Sequence, residues 1–149
     1  MAHDTVIALI GVPYDGGSRA TSSPRAFAGM LNLDTHVLLY ALAGELTSHE
    51  AAVLERDSWS IAAIVMWEIA KLGELGRIEV DLDDPELVRT LARIHVWPVT
   101  LEVCRAIRNL DFRGDPADEI IAATSLAHRV PLVTRDRRIR RSRRVPLAR

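Results

Sequence analysis

Short apolar runs alternate along this chain with longer stretches in which apolar residues recur every three or four positions. The short runs predict strands, and the longer stretches predict helices. We predict strands at residues 31–33, 58–62, 96–99, 132–134 and 145–147. We predict helices at residues 35–43, 48–56, 63–75, 85–94, 101–109, 116–128 and 136–141. This alternation is typical of βαβ units, so we predict an α/β fold with a mainly parallel sheet.

The first 29 residues lack this periodic pattern, because glycine, proline and serine interrupt it repeatedly. A strand is predicted there at residues 6–12, and the glycines that follow it do not form a phosphate-binding loop with a G-K-[ST] sequence. We therefore predict a flexible N-terminal extension at residues 1–29 and one domain at residues 30–149. Met30 precedes the first predicted strand and would be the native start if the upstream residues are an over-extended reading frame, which mass spectrometry of the native N-terminus tests.

The composition is that of an ordinary globular protein, with 48% hydrophobic and 26% charged residues. No apolar run approaches the ~20 residues that cross a membrane, and residues 1–12 lack the basic leader of a secretory signal. Cys104 is the only cysteine, which excludes an internal disulfide and favours a reducing compartment. We predict a cytoplasmic protein that does not bind a membrane.

Charge is distributed unevenly along the chain. Residues 135–149 contain eight arginines and one aspartate, a formal charge of +7, so residues 1–134 carry −8 to give the net charge of −1. A basic end of this kind favours a polyanionic or acidic partner, and a solvated basic tail explains the same charge equally well.

Four carboxylates lie at or near the points where predicted strands give way to helices. They are Asp34, Glu68, Asp118 and Asp136. In an open parallel sheet these junctions face one edge, so we expect the four side chains to converge on one crevice. Clustered carboxylates without a His or Cys set favour Mg²⁺ or Mn²⁺. Such an ion would activate a water molecule and neutralise the oxygens of a scissile phosphate.

Each of these carboxylates also has a structural explanation. Asp34 and Asp136 suit helix N-caps, as does Asp115, which precedes the helix that begins at residue 116. Asp118 forms a capping pattern with Asp115, and an acid in the first turn also suits the helix dipole. Glu68 lies on the apolar face of its helix, where an unpaired carboxylate costs several kcal/mol. An ion pair with Lys71, three residues on, would offset that cost.

Five stretches of the chain resemble PIN-domain ribonucleases, and among them VapC-type toxins. These stretches are LDTHVLLY at 33–40, WEIAKL at 67–72, GRI at 76–78, GDPADEIIAAT at 114–124 and PLVTRD at 131–136. They occur in the order of the family. The resemblance implies a PIN-like three-layer α/β/α sandwich at residues 30–149. It also implies a Mg-dependent endoribonuclease that is the toxin of a type II toxin–antitoxin system.

The resemblance further implies roles for individual residues. The implied catalytic set is Asp34, Glu68, Asp118 and Asp136. Asp34, Asp118 and Glu68 would hold Mg²⁺ or Mn²⁺, Asp136 would act directly or through water, and Asp115 would assist. The implied partners are an RNA substrate, a small antitoxin protein and a second copy of the chain in a homodimer.

Thr134 and Arg135 flank this implied site, with Arg135 placed to meet a phosphate. The arginines of residues 135–144 would hold an RNA backbone that the acids alone would repel. Because aromatic residues are only 5% of the chain, recognition of RNA shape or of a loop is favoured over base stacking. The chain departs from the family at Val65, where a small polar residue is common, and in its long N-terminal extension.

Two other functions fit parts of the sequence. A phospho-acceptor signalling domain also uses carboxylates and Mg²⁺ at the edge of a parallel sheet, but it needs a lysine at a late strand end and Lys71 lies in mid-helix. A catalytically inactive PIN fold that binds RNA or a protein partner has the same pattern, although the complete set of acids favours an enzyme.

Overall fold

Four short strands and seven helices alternate along residues 27–149, the part of the chain that this computed structural model describes. The strands are β1 (Met30–Leu33), β2 (Ser58–Ala62), β3 (His95–Trp97) and β4 (Leu132–Val133). The helices are α1 (Thr35–Ala43), α2 (Ser48–Leu54), α3 (Ala63–Glu74), α4 (Pro85–Leu91), α5 (Leu101–Ile107), α6 (Pro116–His128) and α7 (Arg137–Arg140). The predicted strand at residues 6–12 and nearly all of the predicted N-terminal extension lie outside the described residues.

The strands form one parallel sheet in the order β3-β2-β1-β4. β1 pairs with β2 on one side, with Met30 opposite Ser58, and with β4 on the other side, with Asn32 opposite Leu132. β2 and then β3 therefore lie on one side of β1, and β4 lies on its other side. Ligands of parallel sheets bind outside the carboxyl ends of the strands at such a reversal. The predicted α/β fold with a parallel sheet is confirmed.

Helix ends fall where capping residues place them. Gly44 ends α1 with a φ of 72°, a left-handed conformation that glycine adopts without steric cost. Thr47 and Glu50 form a reciprocal capping box at the start of α2. Thr100 accepts a hydrogen bond from the backbone N–H of Val103 and so caps α5. All three helices begin at the predicted residue.

The core joins β1 to α6 through buried polar contacts as well as apolar ones. Leu33, Ile61 and Ile121 are fully buried between the sheet and its helices. The amide of Asn32 donates to the Ser125 hydroxyl at 2.9 Å and to the backbone carbonyl of Ile121 at 3.3 Å. Because a buried amide is costly without partners, these bonds fix α6 relative to the carboxyl end of β1.

Several predicted elements, both strands and helices, are shorter in the structure. β3 ends at Trp97 rather than at residue 99, because Pro98 has no N–H for the ladder. Residues 145–147 contribute one parallel bridge, from Leu147 to Leu132, instead of a strand. Helix α4 ends at Leu91, three residues early. Within residues 27–149, no helix is long and apolar enough to cross a membrane.

Candidate active site

Asp34 lies where β1 ends and α1 begins, but its side chain does not cap the helix. It is 5% exposed and accepts a hydrogen bond of 2.6 Å from the Thr134 hydroxyl. Burial raises the pKa of Asp34, and the bond from Thr134 opposes that rise. The capping explanation is therefore wrong for this residue, whose carboxylate contacts the end of β4.

Glu68 reaches from α3 to the start of α1, where it accepts a hydrogen bond from the hydroxyl of the fully buried Thr35. The alternative of an ion pair with Lys71 is wrong, because Lys71 binds Glu74 instead, with 2.6 Å between Nζ and Oε2. The carboxylate of Glu68 is consequently bound to the residue that directly follows Asp34, on the carboxyl side of the sheet.

Asp118 is half-buried in the first turn of α6, and its pKa is raised to about 6. Burial is the largest cause, followed by the negative charges of Asp34, Asp136, Glu68 and Asp115. Repulsion between like charges weakens with distance, so the charges of the other acids act on Asp118 across the carboxyl side of the sheet. The convergence of Asp34, Glu68, Asp118 and Asp136 on one metal site stays a prediction.

Asp136 and Asp115 do cap helices, as their structural explanation requires. Asp136 accepts from the backbone N–H groups of Arg138 at 2.8 Å and Ile139 at 2.9 Å, at the start of α7. Asp115 accepts from the N–H of Ala117 at 2.9 Å, at the start of α6. A carboxylate has about four lone-pair sites, so one capped oxygen leaves the other available to a further ligand.

The donor set suits a hard divalent cation. Every candidate ligand is a carboxylate oxygen, the donor that Mg²⁺ and Mn²⁺ prefer, and the mutual repulsion at Asp118 would be relieved by a cation. Within residues 27–149, no group of three or more Asp, Glu, His or Cys side chains is placed so that it could hold a metal ion. Hydrogen bonds from Thr134 and Thr35 fix the carboxylates of Asp34 and Glu68 in their present positions.

A basic cavity of about 620 Å³ adjoins the acids at Asp136. Its lining residues are Asp111, Phe112, Arg135, Asp136, Arg137, Arg138, Arg141 and Ser142. Arg138 is held in place by a 3.0 Å bond from its Nη1 to the carbonyl of Arg113. The same nitrogen packs on Gly114, where a Cβ would stand 2.8 Å away. Four arginines therefore line a cavity that also includes Asp136.

Arg135 forms an ion pair with Glu50. Its Nε and Nη2 donate to the two carboxylate oxygens of Glu50, each at 2.7 Å. A guanidinium has five N–H donors, so this pair does not test the role of Arg135 as a phosphate contact, which stays a prediction.

Sequence analysis does not identify three residues that bond to the candidate site or to the elements that carry it. Thr35 donates to Glu68, Asn32 joins β1 to α6, and Glu50 pairs with Arg135. A polar residue inside an otherwise apolar strand is the signal that could have identified Asn32. The partner of Glu50 is 85 positions away, so no local pattern indicates it.

Comparison with known proteins gives the family. The PIN domain family model matches residues 32–145. Ribonuclease VapC22 of Mycobacterium tuberculosis is 33% identical over 118 residues, which are 74% of this chain and 90% of that protein.

Two solved structures share the fold. VapBC2 from Rickettsia felis bound to a DNA fragment from their promoter has a TM-score of 0.62 and 17% identity, over 80% of this chain and 97% of that one. A toxin–antitoxin complex from Klebsiella pneumoniae has a TM-score of 0.53 and 17% identity, over 71% and 86%. The predicted PIN-like fold is confirmed. The chain belongs to the PIN-domain family and, within it, to the VapC-type ribonucleases.

Proposed function

We propose that this chain is a metal-dependent endoribonuclease that hydrolyses RNA phosphodiester bonds, and that it is the toxin of a type II toxin–antitoxin pair. The observation that carries the proposal is the environment of Asp118, which is half-buried in the first turn of α6 and whose pKa is raised first by burial and then by the charges of Asp34, Asp136, Glu68 and Asp115. A half-buried group of carboxylates is electrostatically costly without a cation. Membership in a ribonuclease family gives the substrate class.

Each residue of the site has a proposed role. Asp34 and Asp118 hold Mg²⁺ or Mn²⁺, and Glu68 completes or positions the hydrated ion. When bound, the ion supplies an activated water and neutralises charge on the phosphate. Thr134 orients the Asp34 carboxylate through its 2.6 Å hydrogen bond. Asp136 accepts a proton or orients water with the oxygen that does not cap α7.

Replacing Asp34 by Asn tests the catalytic assignment. We expect cleavage of a single-stranded RNA by the purified protein in Mg²⁺ to fall about 100-fold or more, because a charged ligand worth several kcal/mol to the transition state is removed. Asp118→Asn is expected to have the same effect. The matched control is Asp83→Asn, an exposed aspartate outside the site, which should cleave like the wild type.

Cleavage at the wild-type rate by a folded Asp34→Asn protein would contradict the nuclease assignment. It would favour a catalytically inactive PIN fold that binds RNA or a protein partner. The toxin role is tested by induced expression. The wild type should arrest growth and leave new RNA ends, and Asp34→Asn should do neither.

The basic cavity supports RNA as the substrate, because four arginines line it together with Asp136 and can hold phosphates that the acids repel. Replacing Arg137, Arg138, Arg140 and Arg141 together by Ala should weaken RNA binding. It should also reduce the slope of log affinity against log salt by about one for each phosphate that the variant no longer binds. Arg105→Ala/Arg108→Ala, on α5 and its C-terminal cap, is the control. An unaltered slope would identify the arginine run as a solvated tail.

An apolar groove supports a protein partner. A cavity of about 690 Å³ lies between α1 and residues 77–90, and its lining includes Leu39, Leu42, Ile78 and Leu87. We propose that a small antitoxin covers this surface, which mutation of Leu39 to Asp should prevent in a co-purification assay. A homodimer, measurable by light scattering, and a cytoplasmic location remain predictions.

A further inference from the structure

We propose that Arg135 is a positioning residue of the acid site, because its ion pair with Glu50 holds the turn of residues 134–136 against Asp34. Thr134 and Asp136 flank Arg135 directly, so the conformation of one residue sets the position of both. The inference rests on the proposed nuclease function of these acids, and it assigns Arg135 and Glu50 a part in that function.

The turn of residues 134–136 receives little support from the sheet. Strand β4 has two residues and ends at Val133. The last backbone bond along this edge runs from the N–H of Asp34 to the carbonyl of Val133 at 3.1 Å. Beyond it, the Thr134 hydroxyl donates to Asp34 at 2.6 Å and accepts from the N–H of Asp136 at 3.0 Å. A single hydroxyl therefore joins the turn to the acid site.

Arg135 supplies a second attachment of the turn, to Glu50. The two 2.7 Å bonds to Glu50 form a two-pronged guanidinium–carboxylate pair, which fixes orientation as well as distance. Nη2 also donates to the carbonyl of Glu45 at 3.3 Å. The guanidinium carbon lies 3.9 Å from the centroid of the Tyr40 ring, a cation–π contact. The turn is thus joined to both α1 and α2.

Glu50 is itself held in place before it meets Arg135. It is the third residue of α2, and one of its oxygens accepts from the backbone N–H of Thr47 at 2.8 Å. Its own N–H donates to the Thr47 hydroxyl at 3.2 Å. The Glu50 side chain is only 14% exposed. A preorganised carboxylate loses little freedom when it binds a guanidinium, so it can restrain the turn.

The Lys71–Glu74 pair provides a matched comparison within the same molecule. It is equally short, at 2.6 Å, but both side chains are exposed, at 47% and 66%, and both belong to α3. Exposed pairs of this kind contribute little, and this one connects no separate elements. Glu74→Gln therefore controls for removal of an acidic partner without removal of the proposed restraint.

The test compares Arg135→Ala, Glu50→Gln, the double variant and Glu74→Gln in Mg²⁺-dependent RNA cleavage. Glutamine can still accept from Thr47, so Glu50→Gln keeps the capping box and removes the charge. We expect kcat to fall about tenfold in both single variants with KM changed less than about twofold, because the acid is misplaced while the substrate still binds. The double variant should be no worse than Arg135→Ala, since both remove one interaction.

Hydrogen exchange of residues 132–141 gives a readout that does not depend on activity. Exchange should be faster in Arg135→Ala and Glu50→Gln and unchanged in Glu74→Gln. If Arg135 instead contacts a phosphate of the substrate, Glu50→Gln should keep a normal kcat and a normal or improved KM. That result would overturn the proposal. Unchanged exchange in both single variants would also overturn it. Failure of the wild type to cleave RNA would instead contradict the proposed function. Hydrogen exchange would still test whether the Arg135–Glu50 pair restrains the turn.

Discussion

The first turns of α2 and α6 present an acid at the same helix position with opposite electrostatics. Glu50 and Asp118 are each the third residue of a helix, three residues after the capping residues Thr47 and Asp115. The pKa of Glu50 is lowered to about 2, whereas that of Asp118 is raised to about 6. A favourable helix dipole is available to both, so it cannot be the source of the difference.

Tertiary partners account for the contrast. Hydrogen bonds from Arg135 are the largest cause of the low pKa of Glu50, and hydrogen bonds from Thr47 add to it. Asp118 has no such donor among the causes of its shift, and burial together with neighbouring acids raises its pKa. Ionised Glu50 therefore stabilises the fold, while ionised Asp118 destabilises it. We interpret the first as a structural acid and the second as a group poised for a cation.

Neutralising Glu50 should produce the largest change in stability. Its folded pKa lies below the ordinary value of 4.5, so its contribution is present above pH 4.5 and is lost as the pH falls towards 2. We expect Glu50→Gln to lower the free energy of unfolding by about 1–2 kcal/mol at pH 7 and by less at pH 3. Urea denaturation at the two pH values measures this. If the free energy of unfolding falls equally at pH 7 and pH 3, the ion pair is not the cause of the decrease.

Neutralising Asp118 should change stability in the other direction. Its folded pKa lies above the ordinary value of 3.8, so the native state is penalised above about pH 6 and the penalty disappears as the pH falls towards 4. We expect Asp118→Asn to be more stable than the wild type by about 1 kcal/mol at pH 7 in EDTA, after allowing for solvent screening. The two should be equal near pH 4. A destabilised variant at pH 7 would refute the contrast with Glu50.

The smallest effect is expected at Thr134. Its hydroxyl lowers the pKa of Asp34, so Thr134→Val should raise that pKa and move the acidic limb of the cleavage pH profile to higher pH. A protonated carboxylate does not bind metal. Thr124→Val, which removes a buried hydroxyl bonded to the Ile120 carbonyl within α6, should leave the limb in place. If the acidic limb of the pH profile is unchanged in Thr134→Val, Thr134 has no role in the candidate site.

Local sequence predicted most of the fold because caps and apolar periodicity act over a few residues. Gly44 ends α1 and the Asp115-Pro116 pair begins α6, as predicted. The predictions were less accurate at the edges of the sheet, where Pro98 stops β3 and residues 145–147 form only one bridge. Strand length there depends on a neighbour that the sequence does not specify.

The candidate acids could be chosen from the sequence because parallel strands all end at one edge. Their partners could not. Helical spacing predicted Lys71 for Glu68, but the observed donor is Thr35, which the pairing of β1 with β2 brings close. Likewise, Arg135 and Glu50 lie 85 positions apart and meet only after β4 joins β1.

The order of the sheet also affects when this protein can become active during translation. β1 is among the first elements of the described chain, but the hydrogen bond between Asp34 and Thr134 spans 100 positions. A nascent chain still attached to its ribosome must expose residues beyond 136 before all four acids can meet. Partial products that end before Asp136 would therefore lack one acid of the proposed site.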